Sequence, residues 1–167
     1  MQNLLVLGNQ LTLYVGPLPA IGQHRHSAGA LCVGLHAPIR ARGVVGTPWQ
    51  DYDKLFVPAN VEHALSFGGQ PVAVLFFEKQ SRIYRQLLAH YRMPDTCLSE
   101  PQEIAHDWVE EMEELTTENP RQGEELLEKI MSRLLPNGTE SAQIDARVRK
   151  TLALMQAEPR RNFTAQE

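Results

Sequence analysis

The fold class is indicated most clearly by residues 22–35, GQHRHSAGALCVGL, where a His-x-His pair is followed by an apolar run from Ala30 to Leu35. Short apolar runs bounded by Gly, Pro, Asn or Gln recur through the first part of the chain. They predict strands at Leu4–Leu7, Leu11–Val15, Ala30–Leu35, Leu55–Val57 and Val72–Phe77. Several short strands separated by turn residues are typical of a β-barrel or a β-sandwich.

Helical periodicity replaces the strand pattern near residue 79, because apolar residues then recur every three or four positions. Prolines mark the beginnings of two of these segments, as is usual for the first turn of a helix. The predicted helices cover 79–91 with the stripe Ile83, Leu87 and Leu88; a segment from Pro101 with Ile104, Trp108, Met112 and Leu115; a segment from Asn119-Pro120 with Leu126, Leu127, Ile130, Met131 and Leu134; and 141–157.

Charge is distributed unevenly along the 167 residues, although the formal net charge is only -4. Residues 1–94 carry a net charge of +4, residues 95–130 one of -10, and residues 131–167 one of +2. The acidic middle is excluded as a nucleic-acid surface, because phosphate binding needs clustered Lys and Arg. The basic tail can adjoin such a surface.

Composition and motifs exclude several classes of protein. No apolar run is long enough to cross a membrane, and residues 1–8 lack the basic leader of a signal peptide. Cys32 and Cys97 are the only cysteines, too few for a disulfide framework, so we expect reduced thiols in a cytoplasmic protein. The sequence has no Gly-rich phosphate loop, no Cys-x-x-Cys pair and no nucleophile elbow.

Histidines are the residues that carry candidate chemistry. If His24 and His26 lie on one strand, their imidazoles project to the same face. His63, from a neighbouring strand, can complete a three-histidine metal site. Two other interpretations stay open: the histidines line or plug the mouth of a barrel, or they contact an effector.

The histidine segments resemble the two sequence motifs of the cupin barrel. Residues 22–26 resemble the first motif, His-x-His followed by a glutamate, and residues 58–63, PANVEH, resemble the second, Pro-x-Gly-x-x-His. No carboxylate follows His26 within residues 27–31, so the fourth cupin ligand is missing. Asn60 stands where glycine is usual, and asparagine can adopt the left-handed turn conformation.

A second resemblance covers the tail. The run Ile144-Asp145-Ala146-Arg147-Val148, continuing through Leu152, Pro159 and Asn162-Phe163-Thr164, resembles the opening of the AraC-type DNA-binding domain. Residues 164–167, TAQE, have the capping-box pattern of a helix start. The first part of the chain, from His26 to Phe77, resembles the N-terminal cupin-like domain of AraC-family regulators. The resemblance implies a regulator cut off where its helix-turn-helix domain begins.

The AraC resemblance implies an α+β chain: a small cupin-like β-barrel followed by a helical dimerisation region. The domains would be the barrel and its first following helix (1–94), an acidic helical dimerisation region (95–138), and a linker with the first helix of the DNA-binding domain (139–167). It further implies a homodimer that senses a small-molecule effector and binds DNA only through the missing domain. An effector would act by shifting the population between arrangements of these parts. No enzymatic activity, cofactor, metal or membrane partner is expected.

The predicted site residues follow from position and chemical type. Residues expected to contact an effector are His24, His26, His63, Trp49, Tyr14 and Arg40. Those expected at the dimer surface are Trp108, Met112 and Leu115. One alternative is a metal-dependent cupin enzyme, an isomerase or dioxygenase, that uses the three histidines. Another is a stand-alone sensor or interaction module.

Overall fold

The computed structural model describes residues 3–8, 11–101, 104 and 120–135, all of which belong to one compact unit within residues 1–136. The predicted second helix beyond Ile104, the predicted helix at 141–157 and the capping box at 164–167 lie outside the described residues. The described strands are β1 Leu4–Leu7, β2 Leu11–Pro17, β3 Ile21–His24, β4 Ala28–Gly34, β5 Ile39–Arg42, β6 Gln50–Tyr52, β7 Lys54–Val57, β8 His63–Ser66 and β9 Pro71–Glu78. The described helices are α1 Arg82–His90 and α2 Pro120–Leu134.

The strands form two antiparallel sheets. Sheet 1 has the order β1-β2-β9-β4-β7, and sheet 2 has the order β3-β8-β5-β6. Apart from the added edge strand β1, each sheet has four strands, and the chain crosses repeatedly from one sheet to the other. This interleaved order is that of the double-sheet jelly roll, the architecture of cupins.

The sequence predicted a barrel, and the described strands correct this to an open sandwich. Their pairing runs only within each sheet, so sheet 1 ends at β1 and β7 and sheet 2 ends at β3 and β6. Short apolar runs locate strands but do not show which edges pair. The prediction of closure was therefore wrong, while the prediction of a small cupin-like β unit is confirmed in its coarser form by the strand order.

Sheet 1 lies between two apolar layers. Toward sheet 2, buried residues such as Cys32, Leu55 and Val74 pack against Ile39 and Leu65. On its other face, a second core joins sheet 1 to the two helices through Leu13, Leu31, Phe77, Ile83, Leu87 and Ile130. The described part therefore has three layers: helices, sheet 1 and sheet 2.

In both described helices, the residues of the predicted apolar stripe pack into the core of sheet 1. Ser81 caps α1, because its hydroxyl accepts a hydrogen bond from the Tyr84 N–H at 3.1 Å. Helix α2 begins at Pro120, as predicted, and the residues of its predicted stripe are all buried. Although it was predicted within the dimerisation region, α2 shares the core of sheet 1 and contacts β1. Neither helix is long and apolar enough to span a membrane.

Candidate metal centre

Two neighbouring strands bring His24 and His63 together. His24 is the last residue of β3, His63 is the first of β8, and the two are direct cross-strand partners. This confirms the prediction that the third histidine comes from a neighbouring strand. His26 was predicted on the same strand as His24, but it lies in the connection between β3 and β4. The prediction of that strand was wrong because the chain leaves sheet 2 after His24 to enter sheet 1.

A tight turn places His63 beside His26. In the turn at residues 58–61, Asn60 has a φ of 65°, the left-handed conformation expected for its position in the motif. The Asn60 N–H donates to the carbonyl of His26 at 2.7 Å, so the turn before β8 is tied to the connection that carries His26. The backbone therefore holds all three histidines at one end of the sandwich.

The three imidazoles form a compact group. The ring centroids of His24 and His63 are 4.2 Å apart, those of His26 and His63 4.9 Å, and those of His24 and His26 5.8 Å. One ring nitrogen of each histidine lies within 4.8 Å of the corresponding nitrogens of the other two. Among the described residues this is the one group of three potential metal ligands.

Backbone carbonyls set the tautomer of each ring. His24 Nδ1 lies 2.8 Å from the Gly22 carbonyl, His26 Nδ1 2.6 Å from that of Ala28, and His63 Nδ1 2.8 Å from that of Val61. A carbonyl oxygen can only accept, so each Nδ1 carries the proton. In the neutral rings, each Nε2 therefore has a free lone pair. A backbone carbonyl behind each ring is the usual support of a metal-binding histidine.

His63 is the most constrained member of the group. Its side chain is 0% exposed, and its buried Nε2 has no hydrogen-bond partner among the described residues. Desolvation lowers the pKa of His63 to about 4, and repulsion from His24 and His26 acts in the same direction. Desolvation also lowers the pKa of His26. These two histidines are therefore neutral near pH 7, which is the form that binds a metal.

The donor set fits a transition-metal ion. Imidazole nitrogen suits Zn, Cu, Fe and Ni, and three such nitrogens on one tetrahedral ion lie about 3.3 Å apart. Starting from separations of up to 4.8 Å, the three nitrogens need to approach by at most about 1.5 Å. The orphaned Nε2 of His63 is the observation that favours a bound ion over a packing role, because an unpartnered buried polar atom costs about 1–3 kcal/mol.

The surroundings of the group lack the cupin carboxylate. No Asp or Glu joins the three histidines among the described residues. Glu62, next to His63 in sequence, instead faces Arg25 at 4.0 Å on the exposed rim. On the sheet 1 side, the ring of Phe76 lies 6.1 Å from that of His26, edge to face.

Trp49 and Arg40, predicted to contact an effector, lie on the opposite face of sheet 2 from the histidines. Ala41 points into the core between the sheets, so its neighbours Arg40 and Arg42 point outward. Their guanidinium carbons lie 5.9 Å and 5.0 Å from the Trp49 ring. Arg40 also pairs with Asp51 at 3.2 Å. The structure thus does not bring these residues to the histidine group.

Of the remaining predicted residues, the structure describes Tyr14 but not those expected at the dimer surface. Tyr14 is half-buried beside the core between the sheets, and its hydroxyl donates to the Pro17 carbonyl at 2.9 Å. The predicted dimer residues Trp108, Met112 and Leu115 lie outside the described residues, so the dimer surface stays a prediction.

Sequence reasoning missed the residues that support the group. The carbonyls of Gly22, Ala28 and Val61 orient the rings, and backbone groups leave no signature in side-chain type. Phe76 was assigned only to a strand, because its proximity to His26 depends on how β4 and β9 pair. The sequence signal that did locate the site is the pair of cupin-like motifs at residues 22–26 and 58–63.

Comparisons with known proteins give distant likenesses. No protein-family model and no curated protein matches the sequence. A cupin family protein of double-stranded β-helix fold from Methanocaldococcus jannaschii is similar at a TM-score of 0.39 and 11% identity, over 47% of this chain and 82% of that one. A cupin superfamily protein from Desulfitobacterium hafniense is similar at 0.37 and 15% identity, over 46% and 77%.

An enzyme is also among the similar structures. The DMSP lyase DddQ from Ruegeria pomeroyi is similar at a TM-score of 0.36 and 19% identity, over 57% of this chain and 46% of that one. With TM-scores below 0.5, these likenesses assign neither fold nor function to this chain. The assignment of a cupin-like jelly roll rests on the strand order of the two sheets.

Proposed function

We propose that this chain is the ligand-sensing part of an AraC-type transcription regulator, and that its sensing centre is a metal ion held by His24, His26 and His63. The observation that carries the proposal is the grouping of three imidazoles whose Nδ1 atoms are all occupied by carbonyls. The sequence led us to expect no metal because the cupin carboxylate is missing. It left a three-histidine site as one open interpretation, and the structure brings those three side chains together.

The regulator part of the proposal is supported by sequence alone. The run from Ile144 to Thr164 resembles the opening of an AraC-type DNA-binding domain, and residues 131–167 carry a net charge of +2. In this proposal the protein is a cytoplasmic homodimer, its partner surface lies in the acidic region at 95–138, and it reaches DNA through a further domain. Binding at the histidines shifts the arrangement of these parts only if the two arrangements differ in affinity for the ligand.

A metal would stabilise the folded sandwich by joining separate elements. His24 ends β3, His26 lies just beyond it, and His63 begins β8, so one ion would connect the edge of sheet 2 with the crossing to sheet 1. A ligand that binds only the folded state raises its stability by mass action. A bound metal would supply positive charge, while the backbone carbonyls at each Nδ1 orient the imidazoles and leave Nε2 unprotonated.

A second candidate is a metal-dependent cupin enzyme. The observation that favours it is the three-nitrogen donor set, because catalytic metal sites keep a position open whereas structural sites are closed by four protein ligands. The missing carboxylate weighs against the acid–base chemistry of an isomerase. The two candidates share the metal and differ in its consequence, which is a change of subunit arrangement in the regulator and turnover of a substrate in the enzyme.

Zn²⁺-dependent thermal melting tests the shared step. We expect Zn²⁺ to raise the melting temperature of the metal-free protein, and the His63→Leu variant to lose the effect because it removes the buried ligand. His36, which is exposed and outside the group, provides the matched control as His36→Gln. Equal Zn²⁺ responses of the wild-type protein and His63→Leu would exclude the metal centre.

A reporter separates the regulator from the enzyme. Residues 1–167 are fused to a DNA-binding domain that represses only as a dimer, and Zn²⁺ supply is varied in cells. A regulator gives Zn²⁺-dependent repression that His63→Leu abolishes. Metal binding in vitro with metal-independent repression would contradict the regulator and favour the enzyme.

A further inference from the structure

The three-histidine group leaves the charge of a divalent ion uncompensated. Each imidazole binds as a neutral ligand, because its proton is held on Nδ1 by a backbone carbonyl. No carboxylate joins the group within the described part of the chain. A bound cation would therefore be the dominant local charge, beside a histidine that is itself fully buried.

The charged residues on the rim do not supply the missing negative charge. Glu62 is directed to Arg25 at 4.0 Å, and its side chain is 38% exposed. Arg25 and Glu62 offset each other, so the rim leaves the charge of a bound cation uncompensated. The electrostatics of this end of the sandwich therefore favour an anion from outside the chain.

The wall beside the group is apolar. Phe76 of β9 presents its ring edge to face with His26, with 6.1 Å between the centroids. Its cross-strand partner Ala30 is buried in the core between the sheets. His24 and His26 are half-buried, so solvent reaches part of the group.

We propose that the metal centre captures a small organic carboxylate: the carboxylate occupies the open coordination positions, and its apolar body lies against Phe76. This inference rests on the proposed function, because it requires the metal at His24, His26 and His63. It names the chemical class of the effector. The missing cupin carboxylate then explains the specificity, because the site selects a ligand that brings the negative charge itself.

Cobalt spectroscopy tests the proposal with three probes. Protein loaded with Co²⁺ is titrated with benzoate, acetate and the neutral benzamide while the visible d–d absorption is recorded. We expect benzoate to change the spectrum with an affinity about tenfold or more above that of acetate, because its ring adds apolar burial. Benzamide is expected to leave the spectrum unchanged, and the metal-free protein is expected not to bind benzoate.

Two variants assign the effect to the residues named. Phe76→Ala should retain Co²⁺ and lose the preference for benzoate over acetate. Phe76→Leu should show the same change in smaller measure, because it keeps most of the packing volume and removes the aromatic ring. The second variant keeps the test decisive if Phe76→Ala does not fold.

The metal centre and the captured carboxylate are distinguished by different negative results. A Co²⁺ spectrum that does not respond to benzoate or acetate up to millimolar concentrations overturns the carboxylate proposal and leaves the metal centre intact. Failure of the wild-type protein to bind Co²⁺ overturns the proposed function itself. Equal affinities for benzoate and acetate overturn the role of Phe76.

Discussion

Two buried polar groups at opposite faces of sheet 1 differ in how completely they are hydrogen-bonded. Tyr84, a residue of α1, is 1% exposed, and its hydroxyl donates to Asp95 Oδ1 and accepts from the Ala59 N–H at 3.1 Å. His63, between the sheets, is 0% exposed and has one satisfied nitrogen and one without a partner among the described residues. Because burial normally demands hydrogen-bond partners, the first group fits a structural role, and the free nitrogen of the second is what the proposed metal would bind.

One turn connects the two groups. The N–H of Ala59 donates to Tyr84, and the next N–H, that of Asn60, donates to the His26 carbonyl. The helix-side core therefore holds the turn that positions His63. Stability at one face of sheet 1 supports the geometry of the site at the other.

Removing the Tyr84 side chain should give the largest effect on stability. The ring packs against Phe56 at 6.0 Å between centroids and lies directly over Gly29, where an added Cβ would be 2.2 Å from Cε2. We expect Tyr84→Ala to lower the free energy of unfolding by about 3–5 kcal/mol, measured by urea denaturation. A loss below about 1 kcal/mol would contradict the structural role of Tyr84.

Acidification should lower the stability of the folded protein through the second group, His63. The pKa of His63 is about 4 in the folded metal-free protein, against about 6.5 in an unfolded chain. As the pH falls below 6.5, His63 becomes protonated in the unfolded state but stays neutral in the folded state until about pH 4. Stability should therefore decline over this range by at most about 3 kcal/mol. His63→Leu should flatten the decline, and an unchanged slope would show that His63 does not cause it.

Removing only the Tyr84 hydroxyl gives a smaller and more specific test. Tyr84→Phe keeps the packing and leaves the Ala59 N–H and the Asp95 carboxylate without their partner. We expect a loss of about 1–3 kcal/mol. Because the turn also carries Asn60, Zn²⁺ affinity should fall as well. Unchanged affinity would show that the two groups are independent.

The outer face of sheet 2 should give the smallest effect. Arg40 and Asp51 are mostly exposed, and such pairs contribute about 0–1 kcal/mol. We expect Arg40→Gln to change the unfolding free energy by less than about 1 kcal/mol and Zn²⁺ affinity by less than about twofold. A large loss of Zn²⁺ affinity would instead support the prediction that Arg40 belongs to the effector site.

The sequence predicted sheet 1 well and sheet 2 poorly, for a physical reason. All five strands of sheet 1 begin within or beside predicted apolar runs, because this sheet is covered by helices on one face and by sheet 2 on the other. The strands of sheet 2 are three or four residues long and carry residues such as Arg40 and Asp51 toward solvent. Such strands leave no apolar run to detect.

The site shows the same division. The histidine motifs and the left-handed Asn60 were predictable because side-chain types and turn preferences are local properties. The tautomers, the position of Phe76 and the outward direction of Arg40 depend on strand register and on backbone carbonyls. These features depend on which distant segments pair and in what register, and a single sequence does not show either.

Anomalous diffraction from crystals of the Zn²⁺-soaked protein tests the central claim most directly. We expect one strong zinc peak about 2.0–2.1 Å from the Nε2 atoms of His24, His26 and His63, with each Nδ1 still directed at its backbone carbonyl. The absence of a peak at the group, or zinc only at other residues, would contradict the metal centre and return the histidines to a packing role.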